Sequence, residues 1–290
     1  MGRIVRALSE DGSVLCSAID STDIVKEAAR LHNSTPVVTA ALGRMTTAAS
    51  IMGAMLKYEG DTLTLRVNGN GPCGTLTAVS DYRGNVKCCV GDATANVPPL
   101  EDGKLDVCGV IGTDGTLTVI KDMGLKEPYC GQIPLQTGNI AEDITAYYAI
   151  SEQLPTVCGL GVLFDDEGFV EAAGGYMVQV VPPVSDKAVK VLDENMAKMD
   201  SIQLMLRQNA SPDSIALSML EGLGGEVLDS WNAVYHCDCS RERTEGVLIA
   251  LGKKELAKLA EEQEETEVCC HFCNKKFKFS TDDLLELLKR

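Results

Sequence analysis

Thr62-Leu63-Thr64-Leu65-Arg66-Val67 alternates apolar and polar side chains with a period of two. That is the signature of a strand with one face buried and the other wet. Asn68-Gly69-Asn70-Gly71-Pro72 follows as turn chemistry, so the chain reverses and residues 75–80 read as the next strand. Asp81-Tyr82-Arg83-Gly84 turns again into a third, over residues 86–90. Further along, Thr116-Leu117-Thr118-Val119 and residues 168–180 read as strands too. Helices interrupt them. Thr35-Pro36 supplies an N-cap and a first-turn proline for a long Ala-, Met- and Thr-rich helix to about Lys57. Asn139, with Glu142 three residues on, caps another that runs to about Gln153. The mixture predicts an α+β protein whose first domain, residues 1–181, is mixed α/β.

Pro182-Pro183 breaks the chain, and the pattern changes beyond it. Val189, Leu192, Met196 and Met199 fall on one helical face. Asn209-Ala210-Ser211-Pro212 ends one helix and starts the next, which carries Ile215, Met219, Leu220 and Leu223 before Gly222, Gly224 and Gly225 stop it. Residues 182–232 are therefore expected to be a helical linker with few long-range anchors. Its methionines, Met196, Met199, Met205 and Met219, suit packing on the first domain. They equally suit a promiscuous binding surface, since methionine is flexible and polarisable. The two roles are compatible, because a surface covered at rest can be uncovered when the linker unfolds.

Residues 233–290 form a small terminal unit. One or two helices are expected between Arg241 and Glu262, and a last helix starts at Ser280 with Asp283 as its N3 carboxylate. The whole chain has 290 residues, room for roughly two domains of ~150. Apolar residues make up 45% and charged residues 23%, which excludes a disordered or low-complexity chain. The formal net charge of −16 disfavours nucleic acid and anionic membranes as partners. The start, Met1-Gly2-Arg3-Ile4-Val5-Arg6, runs into Ser9-Glu10-Asp11-Gly12 and lacks the apolar core of a signal peptide. The most apolar stretch, residues 36–56, carries Arg44 and several threonines and is too polar for a membrane span. The expected compartment is the cytoplasm.

Twelve cysteines are many for a reducing compartment. Seven scatter between Cys16 and Cys158 and read as small buried hydrophobes. In Cys88-Cys89 the two side chains would point to opposite faces of a strand, which argues against a bond between them. The other five crowd together. Cys237-Asp238-Cys239 and Cys270-His271-Phe272-Cys273 are two close pairs separated by one loop, the spacing that builds a four-thiolate zinc site. Asn274 follows the second pair, where a metal knuckle wants a left-handed residue. Arg241, Arg243, Lys275 and Lys276 flank the pairs and would favour thiolates. His236 and His271 are candidate substitute ligands, and Cys269 is a fifth thiol beside the second pair. Four protein thiolates leave no open coordination position, so a hydrolytic zinc enzyme is not expected.

Such a site lends itself to switching. A unit this small is marginal without a staple. A structural zinc supplies ~10–16 kcal/mol of apparent binding free energy that becomes folding free energy. Oxidation would remove it, because a disulfide has no thiolates to offer.

These residues, with others along the chain, resemble the heat-shock protein 33 family of redox-regulated chaperones. The terminal signature is Cys237-Asp238-Cys239-Ser240-Arg241-Glu242-Arg243, then Leu251-Gly252-Lys253-Lys254-Glu255-Leu256, then Cys270-His271-Phe272-Cys273-Asn274. In the first domain the resemblance continues through Gly69-Asn70-Gly71-Pro72, Pro128-Tyr129-Cys130-Gly131, Ile140-Ala141-Glu142-Asp143 and Ala173-Gly174-Gly175-Tyr176-Met177-Val178-Gln179. The resemblance implies an ATP-independent holdase and no enzymatic activity, with zinc on Cys237, Cys239, Cys270 and Cys273 and an inactive reduced form. It implies that oxidation forms Cys237–Cys239 and Cys270–Cys273 disulfides and releases zinc, and that the terminal unit and linker then unfold. Apolar surface is thereby offered to unfolded client proteins, and the activated chain forms a homodimer. The residues that hold clients are not identified by it. Cys269 is an addition to the family pattern at the switch.

Two other readings compete. Lys275, Lys276 and Lys278 interleaved with Phe277 and Phe279 would suit a zinc-ribbon nucleic-acid-binding protein. Against it, residues 237–290 hold 10 basic and 12 acidic side chains. A thiol oxidoreductase using Cys270-x-x-Cys273 would need that pair at a helix start, whereas a turn and strand are expected after it. The glycine clusters at 69–71 and 222–225 lack a phosphate-binding lysine and read as turns and helix stops. His32 reads as helix-end packing.

Overall fold

A computed structural model describes residues 1–182 and 186–289. The chain divides into two compact units, Met1–His236 and Cys237–Arg290. The first begins with β1 (Gly2–Leu8), β2 (Val14–Asp20), α1 (Thr22–His32) and α2 (Pro36–Gly53). A meander of β3 (Thr62–Gly69), β4 (Thr75–Asp81) and β5 (Val86–Val90) follows, then α3 (Val107–Ile111), β6 (Gly115–Asp122) and β7 (Tyr129–Pro134). Next come α4 (Ile140–Tyr147), β8 (Thr156–Phe164) and β9 (Val170–Val180). The unit closes with α5 (Asp186–Lys198), α6 (Ile202–Arg207), α7 (Pro212–Met219) and β10 (Glu226–Ala233).

Two antiparallel sheets result, in the orders β10-β1-β2-β9-β8 and β5-β4-β3-β6-β7. The second sheet shows the alternation on which the strand reading rests: Leu63, Leu65 and Val67 are buried and Arg66 is exposed. Helix α2 lies between the sheets, touching β3, β4 and β5 on one side and β2, β8 and β9 on the other. Sixteen of its eighteen residues are buried, and only Pro36 and Arg44 reach partly into solvent. A helix enclosed on all sides needs small or apolar residues all round. Its threonines meet that need by bonding inward: Thr46 and Thr47 donate to the carbonyls of Leu42 (2.9 Å) and Gly43 (2.7 Å) respectively. Thr35 and Pro36 start the helix as expected, Thr35 Oγ1 accepting from Val38 N. Asn139 caps α4 through Ala141 N, and the chain then makes a π-turn over Tyr148–Glu152 before Gln153 ends it with φ 54°. His32 closes α1, its Nε2 donating to the Cys88 carbonyl at 2.9 Å.

The first sheet is buried on both faces. Ile4, Ile19 and Met177 join the core around α2. Val5, Ala7, Val14, Cys16, Ala18, Val178 and Val180 face a separate core closed by Leu192, Met205, Leu206, Ile215 and Met219 of α5–α7. From Asp186 the chain is thus helical through α7, with Ser211 capping the last helix and Gly222 and Gly224 at positive φ beyond it. Two features differ from the sequence expectation. Glu226–Ala233 is not the end of a helical stretch but strand β10, paired from Gly2↔Ala233 to Leu8↔Glu226. It is an edge strand exposed on much of its length, so no buried face imprints a period on it. Long-range anchors are also plentiful. Arg6 pairs with Asp229 (Nε–Oδ1 2.9 Å), Arg3 pairs with Asp213, and Trp231 Nε1 donates to the Arg83 carbonyl at 2.8 Å. The chain break expected at Pro182-Pro183 lies partly outside the described residues.

The second unit contains α8 (Arg241–Ala250), α9 (Lys253–Glu262), the hairpin β11 (Glu265–Cys269) and β12 (Lys276–Ser280), and α10 (Thr281–Leu287). Ser280 and Asp283 form the expected reciprocal capping box. Its buried core is small: Leu248, Leu256, Ala260, Phe277, Phe279, Leu284 and Leu287. Among the described residues, no helix is long and apolar enough to cross a membrane.

Candidate metal centre

The hairpin and the segment before α8 bring the two cysteine pairs together. Cys270 sits just past the end of β11, where its N–H donates to the Lys275 carbonyl at 2.9 Å. The Asn274 N–H returns to the Cys270 carbonyl at 2.8 Å, closing a tight knuckle around Cys270-His271-Phe272-Cys273. Asn274 has φ 57°, the left-handed conformation expected for that place. Cys237-Asp238-Cys239 lies before α8. Ser240 caps that helix by accepting from Arg243 N, Thr244 donates back to the Ser240 carbonyl at 2.8 Å, and the Arg243 guanidinium holds Asp238.

The sulfur atoms of Cys237, Cys239, Cys270 and Cys273 all lie within 4.8 Å of one another. Cys237 Sγ is 3.7 Å from Cys270 Sγ, and Cys239 Sγ is 3.4 Å from Cys273 Sγ. A tetrahedron with metal–sulfur bonds of about 2.3 Å has edges of about 3.8 Å. The four-sulfur set therefore has the size and donor chemistry of a closed thiolate zinc site. No disulfide joins any of the twelve cysteines.

Burial pushes the Cys237 thiol up, and burial together with the Cys273 thiol raises Cys239 to about 11. At Cys270 burial is outweighed by the N–H groups of Phe272 and Cys273 and by the thiols of Cys237 and Cys273, and the pKa falls below the usual thiol value. Left to themselves, Cys237 and Cys239 resist ionisation at neutral pH. A divalent cation reverses that preference by stabilising the thiolates directly.

The flanking cations act differently from expectation. Arg243 pairs with Asp238, and Arg241 bonds Asp283 at 2.9 Å while lying 4.4 Å from the Phe279 ring centre. Lys276 pairs with Glu267 at 2.8 Å, and Lys275 lies 5.2 Å from the Phe277 ring centre. These side chains brace the unit, and backbone N–H groups together with the Cys237 and Cys273 thiols lower the Cys270 pKa. Neither His236 nor His271 belongs to the four-ligand cluster, and neither does Cys269, which is exposed at the end of β11. The Asp238–Arg243 and Asp283–Arg241 braces were not foreseen from sequence. An acidic residue between the two cysteines, with an arginine five residues on, was the available signal.

A family model described as Hsp33 protein matches residues 2–280. The chain belongs to the Hsp33 family. It is 46% identical to the 33 kDa chaperonin of Clostridioides difficile (strain 630) over 286 residues, covering 99% of this chain and 98% of that one. It is 43% identical to the 33 kDa chaperonin of Thermoanaerobacter sp. (strain X514), covering 99% and 97%. The crystal structure of the Hsp33 homologue from Thermotoga maritima superposes with a TM-score of 0.90 at 34% identity, covering 99% of this chain and 97% of that one. The Hsp33 relatives are named as chaperonins, and the family is one of chaperones, not enzymes.

Proposed function

We propose that this protein is an ATP-independent holdase held inactive by zinc and switched on by oxidation. The observation that carries the reading is the four-sulfur cluster in a unit whose own buried core comprises seven side chains. A core that small leaves 54 residues only marginally stable against their conformational entropy without a staple. Bound at Cys237, Cys239, Cys270 and Cys273, zinc would supply that staple and keep the four sulfurs as thiolates.

The residues of the site then account for the switch. Each pair of thiolates, Cys237 with Cys239 and Cys270 with Cys273, would give two electrons to one hydrogen peroxide, which takes two protons from solvent and leaves as two waters while the S–S bond forms. The four sulfurs no longer serve as ligands, and the small unit loses its staple. In this reading residues 182–232 act as a metastable linker between a chaperone core (1–181) and a redox-switch domain (233–290). Helices α5–α7 cover a self-contained apolar face of the first sheet, and that face becomes the surface for unfolded clients when they leave. Activated chains associate as dimers. The proposed compartment is the cytoplasm, where thiols stay reduced until oxidants rise. The nucleic-acid reading gains no support: Lys276 and Lys278 are paired with Glu267 and Glu265.

The test is suppression of light scattering by a heat-unfolding client. Suppression is expected only after peroxide treatment at mild heat, with reversal by thiol reductant. Equal activity in the reduced, zinc-loaded form would reject the switch.

A further inference from the structure

A cavity of about 750 Å³ opens in the first unit between α2, the 100–108 segment, the end of β8 and helix α6. Leu105, Val162, Phe164 and Leu204 give it apolar walls. Arg44 lines it as well. It is the one charged residue of α2, a helix otherwise enclosed on all sides. Its Nε is buried and has no hydrogen-bond partner, and the one ionisable neighbour that acts on its guanidinium among the described residues is the Cys108 thiol, not a carboxylate. A guanidinium stays protonated at any physiological pH, and a buried N–H left without an acceptor is costly. Arg207 of α6 lines the same cavity, exposed and without a carboxylate partner among the described residues. Lys104 is already tied to Asp102 at 2.6 Å, and Asp106 adds one negative charge to the lining.

This arrangement selects a ligand class. One half-buried, fork-shaped cation with an unsatisfied Nε–H calls for a planar anion that can accept two parallel hydrogen bonds. Asp106 disfavours a doubly charged phosphate group. The apolar walls call for a hydrocarbon body, and the volume is that of a small-molecule site. We propose that this cavity binds an amphiphilic carboxylate of the fatty-acid type, with its head on Arg44 and its chain along Leu105, Val162 and Phe164.

The site has a regulatory consequence that rests on the functional reading above. Ser201, Gln203, Leu204 and Arg207 belong to the α6 region, and the remaining lining residues precede residue 169. A ligand held here bridges the linker to the core and is lost when the linker leaves. Bound at a hundred times its dissociation constant, it would make linker release about 100-fold less favourable.

The experiment is calorimetric titration of the full-length, reduced, zinc-loaded protein with decanoate, with decanol and acetate as probes lacking the charge or the chain. Saturable binding of decanoate is expected, at least about tenfold tighter than either control, weakened about tenfold or more by Arg44→Met. Leu204→Glu, at an exposed wall position, should weaken it similarly without disturbing the core, and so covers the case in which Arg44→Met fails to fold. No saturable binding up to on the order of 1 mM, or unchanged binding in both variants, would overturn the site. Amide exchange in α6 should slow about 100-fold at saturation, and no slowing would overturn the bridging role. Neither readout uses chaperone activity, so failure here is distinct from failure of the redox switch.

Discussion

Cys239 and Cys270 act at two levels. Their sulfurs belong to the four-ligand cluster, and their side chains pack against the small core of Leu248, Phe277 and Phe279. Cys270→Ser should therefore abolish stoichiometric zinc binding and melt the second unit, read as zinc content and far-UV circular dichroism. Cys269→Ser is the matched control, being one residue away but outside the cluster, and should retain zinc. Retention of zinc by the first variant or its loss in the second would show that the ligand set is drawn wrongly. His32 gives a prediction in pH. Burial lowers its pKa, and the bond to the Cys88 carbonyl opposes this only in part. The folded pKa thus lies below the unfolded value of about 6.5. Between the two the unfolded chain binds more protons, so stability falls with decreasing pH. The contribution is complete above about pH 6.5 and is lost as pH drops through the folded pKa. Denaturant midpoints from pH 7.5 downward should show the decline, and His32→Gln should remove that part of it.

Among the elements, α7 is the strongest lever on the linker. Met219 is fully buried against the outer face of the first sheet. Met219→Ala should cost about 2–5 kcal/mol of packing there and so lower the peroxide or temperature needed for activation. An unchanged threshold would separate helix docking from the switch. Ser280→Ala removes one half of a capping box and should destabilise the second unit by about 1 kcal/mol, visible as a lower chelator concentration for its unfolding. Legibility in the sequence followed burial. Strands β3–β6 were readable because one face is buried and the other wet, so Thr62-Leu63-Thr64-Leu65 carries the period. Strands β1 and β2 were not, because a sheet covered on both sides imposes no alternation: Ile4-Val5 and Ser17-Ala18-Ile19 are buried on every side, and of that sheet β9 alone was read, over residues 168–180. The knuckle was legible to the residue, including Asn274, since its spacing and its left-handed turn are local chemistry. The Arg44 cavity was not. A lone arginine in an apolar helix is visible in sequence, but the segments that complete its surroundings lie more than fifty positions further along the chain.

The sole tryptophan offers a view of the whole molecule. Trp231 lies in β10 opposite Ile4, with the Arg6 guanidinium 5.0 Å from its ring centre and its Nε1 on Arg83. If activation strips the chain back to residue 182, its fluorescence should shift to the red along with chaperone activity. If only the zinc-binding unit opens, emission should stay put while zinc is released. Removing zinc from the reduced protein with a chelator should unfold the second unit and leave the cooperative melting of the first in place.

The pairing of Gly2 with Ala233 also bears on how the protein is made. Strand β1 finds its neighbour at the sheet edge only after more than two hundred further residues have been synthesised. The sheet of β3–β7, drawn wholly from residues 62–134, can close early. The other must wait, and the metal-binding unit is synthesised after both. A nascent chain stalled before residue 226 would carry an open-edged sheet, itself in need of the protection that the finished molecule is proposed to give to others.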